Sequence, residues 1–151
     1  MTFETQCCFL RLILIICVLC RPENSDPVVP PLKSSTRADI AYIAARIISA
    51  SSSTSIYDYS RNKYVQFSGP VSTKHVNVFD YDESCYVTGN GNGSKLSLFH
   101  YGNSNFIDLK IHGTNFEGYD FGTASFFNGS VRGRSVSLFD YESSQYYSYI
   151  I

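Results

Sequence analysis

Residues 136–151 read VSLFDYESSQYYSYII. Inside this stretch is a phrase that the chain repeats: aromatic–Asp–aromatic, four small or polar residues, then another aromatic. The triplets are Tyr57-Asp58-Tyr59, Phe79-Asp80-Tyr81, Phe99-His100-Tyr101, Tyr119-Asp120-Phe121 and Phe139-Asp140-Tyr141, with centres 22, 20, 20 and 20 residues apart. The next four residues are SRNK, DESC, GNSN, GTAS and ESSQ, and an aromatic follows each at once: Tyr64, Tyr86, Phe106, Phe126 and Tyr146. Five recurrences of one spacing mark a structural repeat.

Turn-type residues between two runs of alternating polarity predict a β-hairpin. In the expected pairing the bracketing aromatics close each hairpin, Tyr81 with Tyr86 and Tyr101 with Phe106. His100 then faces Ile107 and Leu98 faces Leu109. Side chains alternate across a strand, so Leu96, Leu98, His100, Ile107, Leu109 and Ile111 share one face. Ser97, Phe99, Tyr101, Phe106, Asp108 and Lys110 share the other. All five repeats sort this way, into an aliphatic core face and a polar face whose rings gather toward the loops.

The expected fold is mainly β: an antiparallel meander of about ten short strands from five hairpins of about 20 residues, open or closed as a barrel. Gly69, Gly91, Gly113 and Gly133 stand where each repeat turns into the next. The alternative is a β-solenoid. Stacking successive coils would set Asp120 and Asp140 about 4.8 Å apart as like charges, which disfavours it.

Upstream, TRADIAYIAARIISA (residues 36–50) carries helical spacing through Ile40, Ile43, Ala44 and Ile47, with Ala41, Ala45 and Ile48 widening the stripe. Ser35 or Thr36 is the expected cap. A helix this apolar must be covered, either by packing on the sheet's aliphatic face or by plugging one end of it. Residues 21–35 hold four of the five prolines and read as a linker. Residues 1–20 contain an apolar run, Leu12 to Leu19, too short for a transmembrane helix, which needs about 20 residues. They read as a signal peptide, so the expected location is secreted, periplasmic or cell-envelope. The β-domain then covers residues 55–151.

Composition narrows the function. Twelve basic and 13 acidic residues give a net charge of −1, without the basic stripe of a nucleic-acid binder. Cys85 is the only cysteine after residue 20, which excludes a disulfide framework and a zinc site of paired cysteines in the domain. His75, His112 and Cys85 do not converge in the expected topology, and no catalytic motif is present, so a non-enzymatic protein without a cofactor is expected. Asp58, Asp80, His100, Asp120 and Asp140 are read as turn caps accepting loop N–H groups. Calcium would need six to eight oxygens at one point, which residues spread over separate hairpins do not supply.

What remains is an aromatic band: Tyr57, Tyr59, Tyr64; Phe79, Tyr81, Tyr86; Phe99, Tyr101, Phe106; Tyr119, Phe121, Phe126; Phe139, Tyr141, Tyr146. The sequence offers three fates for it. It binds a glycan or peptide, it is buried against another copy in a self-associating envelope protein, or it folds into a second core. Asn92-Gly93-Ser94 and Asn128-Gly129-Ser130 also match the N-glycosylation pattern.

Overall fold

A computed structural model describes residues 27–151. The expected signal peptide and the start of the proline-rich segment lie outside the described residues. The ten strands are β1 (Ser55–Asp58), β2 (Lys63–Ser68), β3 (His75–Asp80), β4 (Cys85–Gly91), β5 (Lys95–His100), β6 (Asn105–His112), β7 (Asn115–Asp120), β8 (Ser125–Arg132), β9 (Ser135–Asp140) and β10 (Gln145–Ile150). Each pairs antiparallel with its sequence neighbour, and β10 returns to β1 through Tyr57↔Ile150 and Asp58↔Tyr149. The meander is a closed barrel, so neither the open sheet nor the solenoid describes it.

The hairpin register differs from the expected one by two residues. His100 pairs with Asn105, Phe99 with Phe106 and Leu98 with Ile107. In the second repeat Phe79 rather than Tyr81 faces Tyr86. The cause is local. The last loop residue of each repeat (Asn62, Ser84, Ser104, Ala124, Ser144) lies in the left-handed region at φ between 52° and 55°, so the chain reverses one residue earlier than the polarity pattern suggests. Because side chains alternate with period two, a slip of two leaves every residue on its expected face. A slip of one would have turned the barrel inside out. Cys85, expected in a loop, is consequently the first residue of β4 and points inward, buried.

At the opposite ends of the hairpins, Gly69, Gly93, Gly113 and Gly133 take positive φ. In the second repeat the turn residue is therefore Gly93 and not Gly91, which stays within β4.

The helix, α1 (Ser34–Ile48), begins two residues before the expected start at 36 and packs on the sheet's aliphatic face, as expected, but closure of the barrel puts that face inside. It threads the lumen. Every residue from Ser35 to Ala45 is buried, on all sides of the helix. That explains its composition: a helix apolar all round is a core helix, and Ala38, Ala41, Ala44 and Ala45 keep it slim enough for the barrel. Inward-facing Ile56, Val65, Phe67, Val78, Leu98, Ile107, Leu109 and Leu138 pack around it as one continuous core. Tyr42 stacks on Phe67, with centroids 4.1 Å apart.

The expected Ser or Thr cap is absent. Lys33 occupies the cap position without a side-chain bond, and Thr36 Oγ1 instead accepts from Asn103 Nδ2 at 2.9 Å. A barrel loop supplies the partner that a local cap would have supplied. The main-chain N–H of Leu32 likewise donates to Asp140 Oδ2 at 3.2 Å. The helix N-terminus thus sits at the mouth formed by the four-residue loops, and its C-terminus at the glycine-turn end.

Candidate functional site

The mouth is built from the inside outward. Asp58, Asp80, His100, Asp120 and Asp140 point into the barrel and are buried. Each carboxylate accepts from the main-chain N–H two residues on: Ser60 at 2.9 Å, Asp82 at 2.7 Å, Gly122 at 2.8 Å and Glu142 at 3.1 Å. In the third repeat His100 Nδ1 accepts from the N–H of Asn103 at 3.2 Å. These bonds satisfy loop donors that would otherwise be orphaned, and they hold five loops in one conformation.

His100 replaces aspartate where the helix carries a carboxylate of its own. Asp39 Oδ2 lies 2.9 Å from His100 Nε2, with both side chains out of solvent. Burial raises the Asp39 pKa to about 7, against the lowering effect of His100, and neighbouring Asp80 adds to the rise. Burial alone would depress the His100 pKa, but the Asp39 carboxylate outweighs it and the net shift is upward. On the other side of the mouth Arg37 lies 3.9 Å from Asp140 and covers the Tyr147 ring at 3.6 Å from its centroid.

Outside the barrel, the rigid loops position the aromatic band. In each repeat the first ring of the triplet (Tyr57, Phe79, Phe99, Tyr119 or Phe139) lies between the other two, with centroid separations of 4.6 to 5.1 Å. Most of these contacts are edge-to-face, the arrangement the ring quadrupole favours. The central ring is half-buried. The flanking rings Tyr59, Tyr64, Tyr81, Tyr86, Tyr101, Phe106, Phe121, Phe126, Tyr141 and Tyr146 are 49 to 73 % exposed. Five three-ring clusters therefore girdle one end of the barrel, and among the described residues no second core covers them.

Below the girdle the outer wall is polar, with Asn77, Ser97, Asp108, Lys110, Glu117 and Ser137 facing solvent or half-exposed. Strands of 4 to 8 residues are shorter than the ~9–11 of a membrane-spanning barrel, and this wall has no apolar band for lipid. Among the described residues no helix is long and apolar enough to cross a membrane.

The expected separation of polar candidates is seen. His75 faces outward at the far end of β3 with Nδ1 3.2 Å from Asn90 Oδ1, while Cys85 is inside the mouth, its thiol pKa raised by burial. His112 lies on the outer wall, 3.7 Å from Glu117. Among the described residues no group of three or more His, Cys, Asp or Glu is placed to hold a metal.

One feature escaped the sequence reading. Tyr119, Phe126 and Tyr141 form one side of an open groove on β6–β8 whose other side is Asp108, Lys110, Glu117 and Asn128. Its rings come from two different repeats, tied where Asn128 Nδ2 donates to the Tyr141 hydroxyl at 2.9 Å. Confinement of charge at outward-facing strand positions to the third and fourth repeats was the available signal. No family model, no curated protein and no solved structure matches this chain, so the reading of the site rests on its own chemistry.

Proposed function

We propose that this is an exported, non-enzymatic barrel that binds glycans through its aromatic girdle. The carrying observation is the exposure of ten rings in five rigid clusters, an apolar surface far beyond the isolated exposed side chains of ordinary monomers. Rings beside hydroxyl, amide and carboxylate groups suit a sugar, which offers an apolar C–H face and a rim of hydroxyls.

Closure of the barrel favours glycan over peptide. An extended peptide commonly adds as a strand to a free sheet edge, and a closed barrel has none. Five like clusters also suit a repetitive polymer, on which each additional contact is intramolecular and raises avidity.

The test is co-sedimentation of the purified domain with insoluble polysaccharides, alongside its mass in solution. Binding by a monomer, reduced in Tyr81→Ala/Tyr86→Ala without loss of folding, is the expected result. A stable oligomer with solvent-protected tyrosines and no polysaccharide binding would move the function to self-assembly of an envelope protein.

A further inference from the structure

The five clusters are alike in their rings but not in what lies beneath them, and that difference singles out one. Under the girdle at β6–β8 the wall carries Asp108, Lys110 and Glu117, with Lys95 beyond them on β5. Lys95 Nζ lies 3.0 Å from Asp108 Oδ2, and Lys110 Nζ lies 4.0 Å from Glu117 Oε1. Two cations and two anions leave the lining neutral, so it neither attracts nor repels a charged ligand strongly. The groove encloses about 510 Å³, within the roughly 300–1,000 Å³ usual for small-molecule sites. It is floored by rings, tilted at 57° between Tyr119 and Phe126. Beside Phe99 and Phe106 the comparable depression is lined by His75, Thr88, Asn90 and Ser97, without a carboxylate or a lysine.

Resting on the glycan reading above, we infer that the β6–β8 groove is the primary subsite and takes a neutral pyranose. The sugar's C–H face stacks on Phe126 and Tyr119. Asp108 and Glu117 accept from its hydroxyls, while Lys110 and the Asn128 amide donate to them. Carboxylates already neutralised by lysine accept from hydroxyls without demanding a cationic ligand. With each carboxylate offset by a lysine, an anionic sugar gains no net attraction to compensate for desolvating its charge, which favours a neutral one. The other clusters act as secondary contacts along a longer chain.

The deciding experiment is calorimetric titration of the domain with short neutral oligosaccharides (glucan, mannan, xylan and chitin fragments) and with an oligouronate as the charged comparison. Tyr119→Ala/Phe126→Ala is expected to weaken binding about tenfold or more, equivalent to about 1.4 kcal/mol. Tyr81→Ala/Tyr86→Ala, in the second cluster, weakens polysaccharide binding through lost avidity but is expected to weaken short-chain binding no more than about twofold, well under that free energy. Asp108→Asn/Glu117→Gln changes no ring and little packing, and is expected to weaken neutral-sugar binding, which keeps the test sound if the aromatic variant unfolds. Equal losses from the second and fourth clusters would overturn the groove assignment and leave the glycan reading standing. Preference for the uronate would overturn the neutral-ligand assignment. Absence of binding to every oligosaccharide and polysaccharide would overturn both.

Discussion

Asp39, on the lumenal helix, lies 2.9 Å from His100 on the barrel wall, and His100 is the one triplet centre that is not aspartate. The two departures from pattern explain each other. A fifth aspartate at this position would place two buried carboxylates face to face. Histidine keeps the loop cap, through Nδ1, while turning Nε2 toward the helix.

His100→Asp, although it restores the repeat's consensus, is therefore expected to destabilise the barrel by about 3–5 kcal/mol, the usual cost of leaving a buried charge uncompensated. Asp39→Asn in the same chain should recover much of that loss. Chemical denaturation of the two variants and their combination measures the coupling.

The same pair sets a pH dependence. Asp39 titrates near 7 in the folded barrel and far lower when unfolded, and the His100 pKa is also raised on folding. Both groups bind protons more tightly in the native state. The Asp39 contribution is complete below about pH 4 and is lost as pH rises to 7, whereas that of His100 is complete up to its ordinary value of 6.5 and is lost only above it. Folding stability, and with it the melting temperature, is thus expected to fall between pH 4 and 7, chiefly through Asp39 and by at most about 1.4 kcal/mol per pH unit. Asp39→Asn should flatten the profile between pH 4 and 7. A wild-type profile that rises with pH there would contradict the assignment.

Gly118 and Gly129 are required by packing. A Cβ at Gly118 would stand 2.1 Å from the Asp108 carbonyl oxygen and 2.3 Å from Phe127 Cζ, and one at Gly129 would stand 2.2 Å from Phe116 Cζ and 2.3 Å from the Ser137 carbonyl oxygen. The pairs are reciprocal, since Gly118 opposes Phe127 and Gly129 opposes Phe116 across β7 and β8. Gly118→Ala is expected to cost about 1–3 kcal/mol by overpacking. Phe127→Leu in the same chain should relieve part of it, as read from denaturation midpoints.

Within each girdle cluster the half-buried central ring, which touches both others, is expected to contribute more to stability than either outer ring. Phe79→Ala removes a half-buried ring in contact with both Tyr81 and Tyr86. It is expected to cost more than Tyr86→Ala, which breaks one ring pair worth about 0.5–1.5 kcal/mol. Comparable losses from both would mean that the exposed rings serve folding.

Much of this protein is written in its local pattern. The five hairpins, the inward face of Leu96, Leu98 and Ile107, the outward rings and the inward Asp58, Asp80, Asp120 and Asp140 follow from a period of two and a repeat of about 20, because strand geometry sends alternate side chains to opposite faces. That logic is indifferent to a slip of two residues, which is why the pairing of Tyr101 with Phe106 was misplaced while every face came out right. The helix was legible in the spacing of Ile40, Ile43 and Ile47. Its packing on the aliphatic face was legible too, but not that this face encloses it: that Ser35 to Ala45 are buried all round depends on the barrel closing through Asp58 and Tyr149, residues far apart in the chain. The same holds for the groove, where Tyr141 reaches Phe126 and Asn128 across a repeat boundary. Sequence periodicity determines the hairpin and its two faces. Closure, the lumenal helix and the one distinctive groove among five like clusters are settled by long-range packing, which brings together residues that no local pattern relates.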